Sequence, residues 1–195
     1  MKKSDRRVLR TKRALGDALI SLSLEKGYDH FTIRDLTERA DVGYATFYRH
    51  YKSKDQLLNQ CLRDIYQKLE CEVRQQETIF EECLAMFNIV AEHKEACLLG
   101  VNLLQDHPAL KPLREEISQM VNELCEAQDE MTIPLEVAIN HLIGSVLEMI
   151  RWWLTEGQDY SPEQMATMQS ELIVNVTETV ALKHRVKSSR NIAPD

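Results

Sequence analysis

Between Tyr44 and Lys54 the chain reads Tyr-Ala-Thr-Phe-Tyr-Arg-His-Tyr-Lys-Ser-Lys. Phenols, a hydroxyl, a histidine and cations crowd one short segment, and none is spaced as a nucleophile beside a base. The chemistry on offer is recognition: donors for phosphate oxygens and short side chains for base edges. Upstream, Thr32 opens a helix with Asp35 at the capping-box position, Leu36 and Ala40 form its buried face, and Asp41-Val42-Gly43 turns the chain. A second helix follows over roughly 44–51. Two short helices about a tight turn are the geometry that places a helix N-terminus in the major groove.

Positions within this pair divide the work. Tyr44, Ala45 and Thr46 stand at the start of the second helix, where base edges come closest. Ala45 and the Thr46 methyl suit a thymine methyl. Arg34 could reach a guanine or a phosphate, and Thr32 and Arg49 complete the DNA-facing set. Phe47 reads as core, because an aromatic beside Tyr48 must pack the helix onto its neighbours. Arg6, Arg7 and Arg10 precede the first apolar stripe. They could reach a phosphate or the minor groove from a mobile arm, or form a plain solvated terminus.

The stretch from Thr46 to Lys54, Thr-Phe-Tyr-Arg-His-Tyr-Lys-Ser-Lys, resembles the helix-turn-helix signature of the TetR family of bacterial transcriptional regulators. The upstream Ala14-Leu15, Ala18-Leu19 and Glu25-Lys26-Gly27-Tyr28 fit it as well. The resemblance implies that Tyr48 and Lys54 anchor phosphates, with His50 assisting at the backbone. Two residues depart from the family habit. Asp41 stands where glycine is frequent, and aspartate tolerates the left-handed conformation. Gly43 stands where a serine often caps the recognition helix.

Charge is divided along the chain. The whole carries −7, yet residues 1–54 hold 13 Lys/Arg against 7 Asp/Glu, leaving −13 on the rest. A basic head on an acidic body fits a polyanion partner held by the head alone. The absence of an apolar run of spanning length points to a cytoplasmic protein. Five cysteines, Cys61, Cys71, Cys83, Cys97 and Cys125, show no Cys-x-x-Cys spacing and read as reduced thiols. His93 and Cys97 share one helix side, but two ligands do not make a metal site. With His107 they are the only crowding an enzyme reading could use, and no Gly-rich phosphate loop accompanies them. Neither a catalytic residue, a metal nor a cofactor is assigned.

The elements that must position the head are all helices. Leu15, Ala18, Leu19 and Leu22 form one stripe of a first helix over roughly 7–26, ended by Gly27. Ser53 caps a long helix, with Gln56 at the capping-box position and Leu57, Leu58, Leu62, Ile65 and Leu69 inward. Further helices are expected near 80–93, 95–105 and 112–129. An apolar band follows at Ile139, Leu142, Ile143, Val146, Leu147, Ile150, Trp153 and Leu154. The last helix opens at Ser161-Pro162-Glu163-Gln164 and shows Met165, Met168, Leu172, Ile173, Val176 and Val180.

The expected architecture is all-α: a three-helix helix-turn-helix head over 1–54, a helical regulatory and dimerisation body over 55–183, and a disordered tail over 184–195. Leu142, Val146, Ile150, Trp153, Met168, Leu172 and Val176 are the expected dimer face, closing as a four-helix bundle about a two-fold axis. The alternative is that both helices fill the monomer core. A two-fold dimer would read a palindromic operator on double-stranded DNA. Residues 141–163 resemble a C-terminal domain shared by a subset of TetR-like regulators, which by that resemblance dimerises. By that resemblance the subset includes members whose effector is poorly defined, and some that answer to a protein partner in place of a small molecule. A pocket for an effector would draw on Tyr66, Phe87, Met120, Met149 and Trp152, each of which could equally be core. The function implied is a homodimeric repressor relieved by an effector, or a co-regulator controlled by a protein partner.

Overall fold

Leu15, Ala18, Leu19 and Leu22 lie buried along one stripe of α1 (Lys3–Lys26), as their spacing requires. Gly27, at φ 85, takes the left-handed conformation that stops the helix, and its N–H reaches back to the Ser23 carbonyl at 2.9 Å. A single 3-10 turn, Tyr28–His30, leads to α2 (Ile33–Arg39) and α3 (Tyr44–His50). The long α4 (Lys54–Val73) follows, then α5 (Ile79–Glu92), α6 (Lys94–Leu104), a 3-10 turn at Pro108–Leu110 and α7 (Lys111–Leu124). The chain ends through α8 (Leu135–Thr155) and α9 (Pro162–Gln169), which runs on into a π-helical stretch, Ser170–Val174. These are features of a computed structural model that describes residues 3–127, 133–175, 177 and 182–184.

The fold divides into two compact units. The first comprises residues 1–69 and 89–114, the second residues 70–88 and 115–195. The first unit therefore takes in α6 and most of α4 beside the head, past the expected boundary at Lys54. Its core is Leu15, Leu19, Leu36, Phe47, Leu57 and Leu58, all fully buried. Across it, Arg39 on α2 holds Glu25 on α1 through two guanidinium bonds of 2.7 and 2.8 Å, and donates to Ser21 at 2.8 Å. Arg39, then Ser21, keeps the Glu25 carboxyl down at about 2.

In the second unit Ala138, Leu142 and Ile173 form a cluster lined by Val121, Leu124, Val146 and Met149. Phe87 meets Trp153 edge-on at 5.2 Å, and the Trp153 indole donates to the Tyr160 carbonyl at 3.0 Å. That bond fixes the turn before α9, where Ser161 and Gln164 form the expected capping box.

Three expectations need correction. The helix expected to reach residue 129 stops at Leu124, because Cys125–Ala127 (β1) pairs antiparallel with Leu182–His184 (β2), Cys125 opposite His184. The ladder satisfies backbone groups that a helix would otherwise hold. His184 is thus paired, and the rest of the expected tail lies outside the described residues. The final helix is interrupted by the π-helical stretch, and Val176 and Val180 also fall outside the description.

Two measurements check these local arguments. Asp41 is the only described non-glycine residue at positive φ (50). Asp41→Ala is expected to lower stability to denaturant by about 1 kcal/mol, with Asp41→Gly equal to or above the parent. The Glu25 carboxyl is depressed in the folded state, so its contribution is full above its ordinary value of 4.5 and disappears as pH falls towards about 2. The deficit of Glu25→Gln against the parent, read as a denaturation midpoint, should therefore shrink across that window.

Candidate nucleic-acid interface

The turn between α2 and α3 is built by local hydrogen bonds. Thr32 Oγ1 accepts from the Asp35 N–H at 3.2 Å, and Asp35 Oδ2 accepts from the Thr32 N–H at 2.7 Å. Hydrogen bonds from the Thr32 hydroxyl and N–H hold the Asp35 carboxyl below its usual range. Asp41 carries the left-handed step, and the Val42 N–H then donates to the Thr37 carbonyl at 3.0 Å. Gly43 opens α3 without a side-chain cap, its carbonyl accepting from the Thr46 and Phe47 N–H groups. Phe47 and Tyr51 point inward and are buried, so α3 is pinned by one face.

Its other face is open. Tyr44 and Tyr48 are 53% and 47% exposed, their hydroxyls 3.4 Å apart and their rings edge-on at 5.2 Å. The hydrogen bond to Tyr44 raises the Tyr48 phenol above its ordinary value, keeping it a donor. Arg49 Nη2 donates to Thr46 Oγ1 at 3.0 Å, which orients the threonine. Ala45 is exposed between them. Thr32, Arg34, Gly43 and Tyr44 share the wall of a depression of about 1120 Å³ between α2 and α3. Arg34 stands there 3.9 Å from Glu38, with both side chains largely in solvent. His50 is half-buried, its ring 6.4 Å from that of Tyr51.

Lys54 opens α4. Its ammonium donates to the Tyr28 carbonyl and, at 3.1 Å, to the Phe31 carbonyl. It lies 4.4 Å from the centre of the Tyr28 ring and 4.2 Å from that of Phe31. Partial burial lowers its pKa, opposed by Asp29 and Asp55. Tyr28 in turn donates to Asp55 Oδ1 at 2.6 Å and meets the His107 ring edge-on at 4.9 Å. The resemblance implies a phosphate for Lys54, and the sequence does not show the intramolecular partners it has here or the contact of His107 with Tyr28. The partners are backbone carbonyls and a ring far along the chain, which no spacing signals. The Ser53 cap stands as expected, with Gln56 N–H on Ser53 Oγ at 3.1 Å, but Gln56 Oε1 accepts from Lys52 rather than Ser53.

The residues expected to line a pocket fall in both units. Tyr66 is buried in the first unit. In the second, Phe87 packs on Trp153, Met149 joins the Ala138–Leu142–Ile173 cluster, and Met120 is half-buried. Trp152 covers Gly157 so closely that an added Cβ would sit 2.6 Å from its ring, and lies 5.8 Å from the Tyr160 ring. Of the expected dimer face, Leu142, Ile150 and Trp153 are buried, Leu142 in the cluster with Ile173 and Trp153 against Phe87. Val146 and Met168 are half-buried, and Leu172 is 66% exposed.

Thiol chemistry is muted: burial pushes Cys61, Cys83 and Cys97 up to about 12, leaving them protonated. His93 Nε2 lies 3.7 Å from Glu92, and among the described residues no three His, Cys, Asp or Glu side chains could hold a metal ion. No helix among them is long and apolar enough to cross a membrane.

A capped helix, a left-handed turn and a second helix pinned by one aromatic face define a helix-turn-helix protein. Residues 17–61 match the sequence model of bacterial regulatory proteins of the tetR family, and residues 77–175 match that of a transcriptional regulator C-terminal region. The chain belongs to the TetR family of transcriptional regulators. An uncharacterised helix-turn-helix regulator of Bacillus subtilis, YxbF, is 27% identical over 85% of the chain. The chain spans 45% of that relative's length. A TetR regulator from Streptococcus agalactiae is 28% identical, with TM-score 0.65 over 87% of this chain and 97% of that one. The fold is shared with NalD of Pseudomonas aeruginosa, secondary repressor of a multidrug efflux pump (21% identity, TM-score 0.65, covering 89% of this chain and 97% of that one). It is shared too with FadR of B. subtilis, solved with stearoyl-CoA (14%, TM-score 0.62, covering 86% and 98%).

Lys54→Met should cost about 2 kcal/mol in stability, because two carbonyls lose a charged donor. Chemical denaturation without DNA checks this, since a residue serving phosphate alone would leave that curve unmoved.

Proposed function

We propose that this chain is a homodimeric, sequence-specific DNA-binding regulator of the cytoplasm, a repressor relieved by an effector. The observation that carries this reading is the open face of α3, where Tyr44, Ala45, Thr46, Tyr48 and Arg49 stand clear of a core that fixes Phe47. In this reading Tyr48, His50 and Arg34 hold the backbone, and Tyr44, Ala45 and Thr46 read base edges. Lys54, which holds the loop before α2, anchors a further phosphate. Pairing of α8 and α9 with their copies, through Val146, Met168 and Leu172, sets two heads against a palindrome.

Effector relief draws support from the FadR neighbour, which is solved with stearoyl-CoA. The packing of Phe87, Met149 and Trp152 against the chain's own side chains favours a second reading, in which a protein partner controls the regulator.

The test titrates purified protein against DNA from immediately upstream of its gene and against random duplex, at two salt concentrations. Preferential binding to a palindromic stretch is expected, with log K falling at about 0.9 per neutralised phosphate for each unit of log salt. Thr46→Ala and Tyr44→Ala should change which sequence is preferred, each base contact being worth roughly 1–3 kcal/mol. Equal, weak binding to both DNAs that rises only with a co-purifying protein would replace the effector reading by the partner reading.

A further inference from the structure

Residues 1–54 carry 13 Lys/Arg against 7 Asp/Glu, yet two carboxylates, Glu38 and Asp41, stand on the depression between α2 and α3. Asp41 has a backbone reason to be there, the left-handed step of the turn. Glu38 has none. Three other acids of the head serve as supports: Glu25 is held to Arg39, Asp35 to Thr32 and Asp55 to Tyr28. Glu38 has Arg34 one helical turn before it and, among the described residues, no other ion-pair partner. Arg34 Nε and Glu38 Oε1 are 3.9 Å apart, beyond hydrogen-bond reach, and the two side chains are 82% and 72% exposed. A pair so loose and so exposed contributes little to stability. Folding therefore does not explain Glu38, which shares its concavity with Thr32, Gly43 and Tyr44.

We infer that Glu38 is a further specificity-determining residue, its carboxylate accepting from the exocyclic amine of a cytosine in the major groove. The inference rests on the DNA-binding reading above and adds an obligate acceptor to a face otherwise made of hydroxyls, a methyl group and cations. In that reading Arg34 holds the duplex backbone. Turning to a phosphate, it gives up Glu38, and the exposed pair makes that exchange cost little. The released carboxylate can only accept, because an ionised acid has no proton to donate. A phosphate or a base carbonyl oxygen repels it, whereas an amine satisfies it. Cytosine N4 and adenine N6 are the two amines of the major groove, but adenine sets its N7 acceptor beside the amine. Cytosine thus meets the carboxylate with no acceptor next to the amine on the same base. Specificity of this kind comes as much from what is refused as from what is bound. Random duplex leaves the charge of Glu38 unpaired against the groove, and a matching base pair does not.

The experiment selects duplexes from a randomised library with the full chain, with Glu38→Gln and with Asp17→Asn. Each protein is then titrated against the parent's selected duplex, its single-base variants and a random-sequence duplex. Asp17 is an exposed acid of α1 outside the depression, and its substitution changes the net charge by the same amount. The parent is expected to require cytosine at one position of each half-site. A glutamine amide both donates and accepts, so Glu38→Gln should lose about tenfold of the discrimination at that position. It should also bind random duplex more tightly than the parent does, whereas Asp17→Asn keeps the requirement for cytosine. Denaturation midpoints of the parent and Glu38→Gln should coincide, because this side chain supports nothing in the core. An unchanged preference at every position overturns the inference, as does a change confined to a base other than cytosine. Failure of the parent to select any sequence would instead overturn the operator reading. Random duplex would then still decide whether the carboxylate faces DNA: tighter binding by Glu38→Gln alone supports it, and equal binding by both variants overturns it.

Discussion

The ammonium of Lys54 is the interaction on which the geometry of the first unit turns. The loop between α1 and α2 exposes two backbone carbonyls that no helix or sheet satisfies, and both are met by this one side chain. A charge placed among aromatic rings costs desolvation, and here the faces of Tyr28 and Phe31 recover part of that cost. Because Lys54 is the first residue of α4, the same interaction sets where the long helix leaves the head. His107, beside the Pro108–Leu110 turn, rests on Tyr28 and lies 4.0 Å from Asp29. The corner after α6 therefore touches the loop that orients α2 and α3.

The reading face and its supports divide the chain's polar groups cleanly. Side chains that hold α2 and α3 in place are satisfied within the protein: Asp35 by Thr32, Arg39 by Glu25, and Tyr28 by Asp55. Those facing outward from α3 bond mainly to one another, Tyr44 to Tyr48 and Arg49 to Thr46. Such bonds fix rotamers while leaving acceptor and donor capacity for the duplex of the proposed reading, and pre-ordering lowers the entropy lost on binding.

Local signals were legible in the sequence where one residue type answers one backbone need. The capping boxes at Thr32 and Ser161, the stop at Gly27, the left-handed tolerance of Asp41 and the burial of Phe47 all follow from neighbours within four residues. What escaped depends on partners distant in the chain. The intramolecular partners of Lys54 are carbonyls of the loop at 28–31, and the end of α7 is set by a strand some sixty residues later. The apolar band of α8 shows the same limit. Periodicity marked it as buried, yet could not say that Leu142 and Trp153 meet their own chain while Leu172 on the last helix does not.

The aromatic residues are partitioned in a way that makes the molecule its own optical instrument. Both tryptophans, Trp152 and Trp153, belong to the second unit, whereas Tyr28, Tyr44, Tyr48, Tyr51 and Tyr66 belong to the first. Trp153 is buried against Phe87, and Trp152 lies on Gly157 beside Tyr160. Indole emission, excited where phenols no longer absorb, thus reports on the second unit alone. Tyrosine signals, Tyr160 excepted, come from the first unit, which holds the reading head. The proposed binding of an effector or partner by the body can accordingly be watched by fluorescence apart from the proposed engagement of DNA by the head.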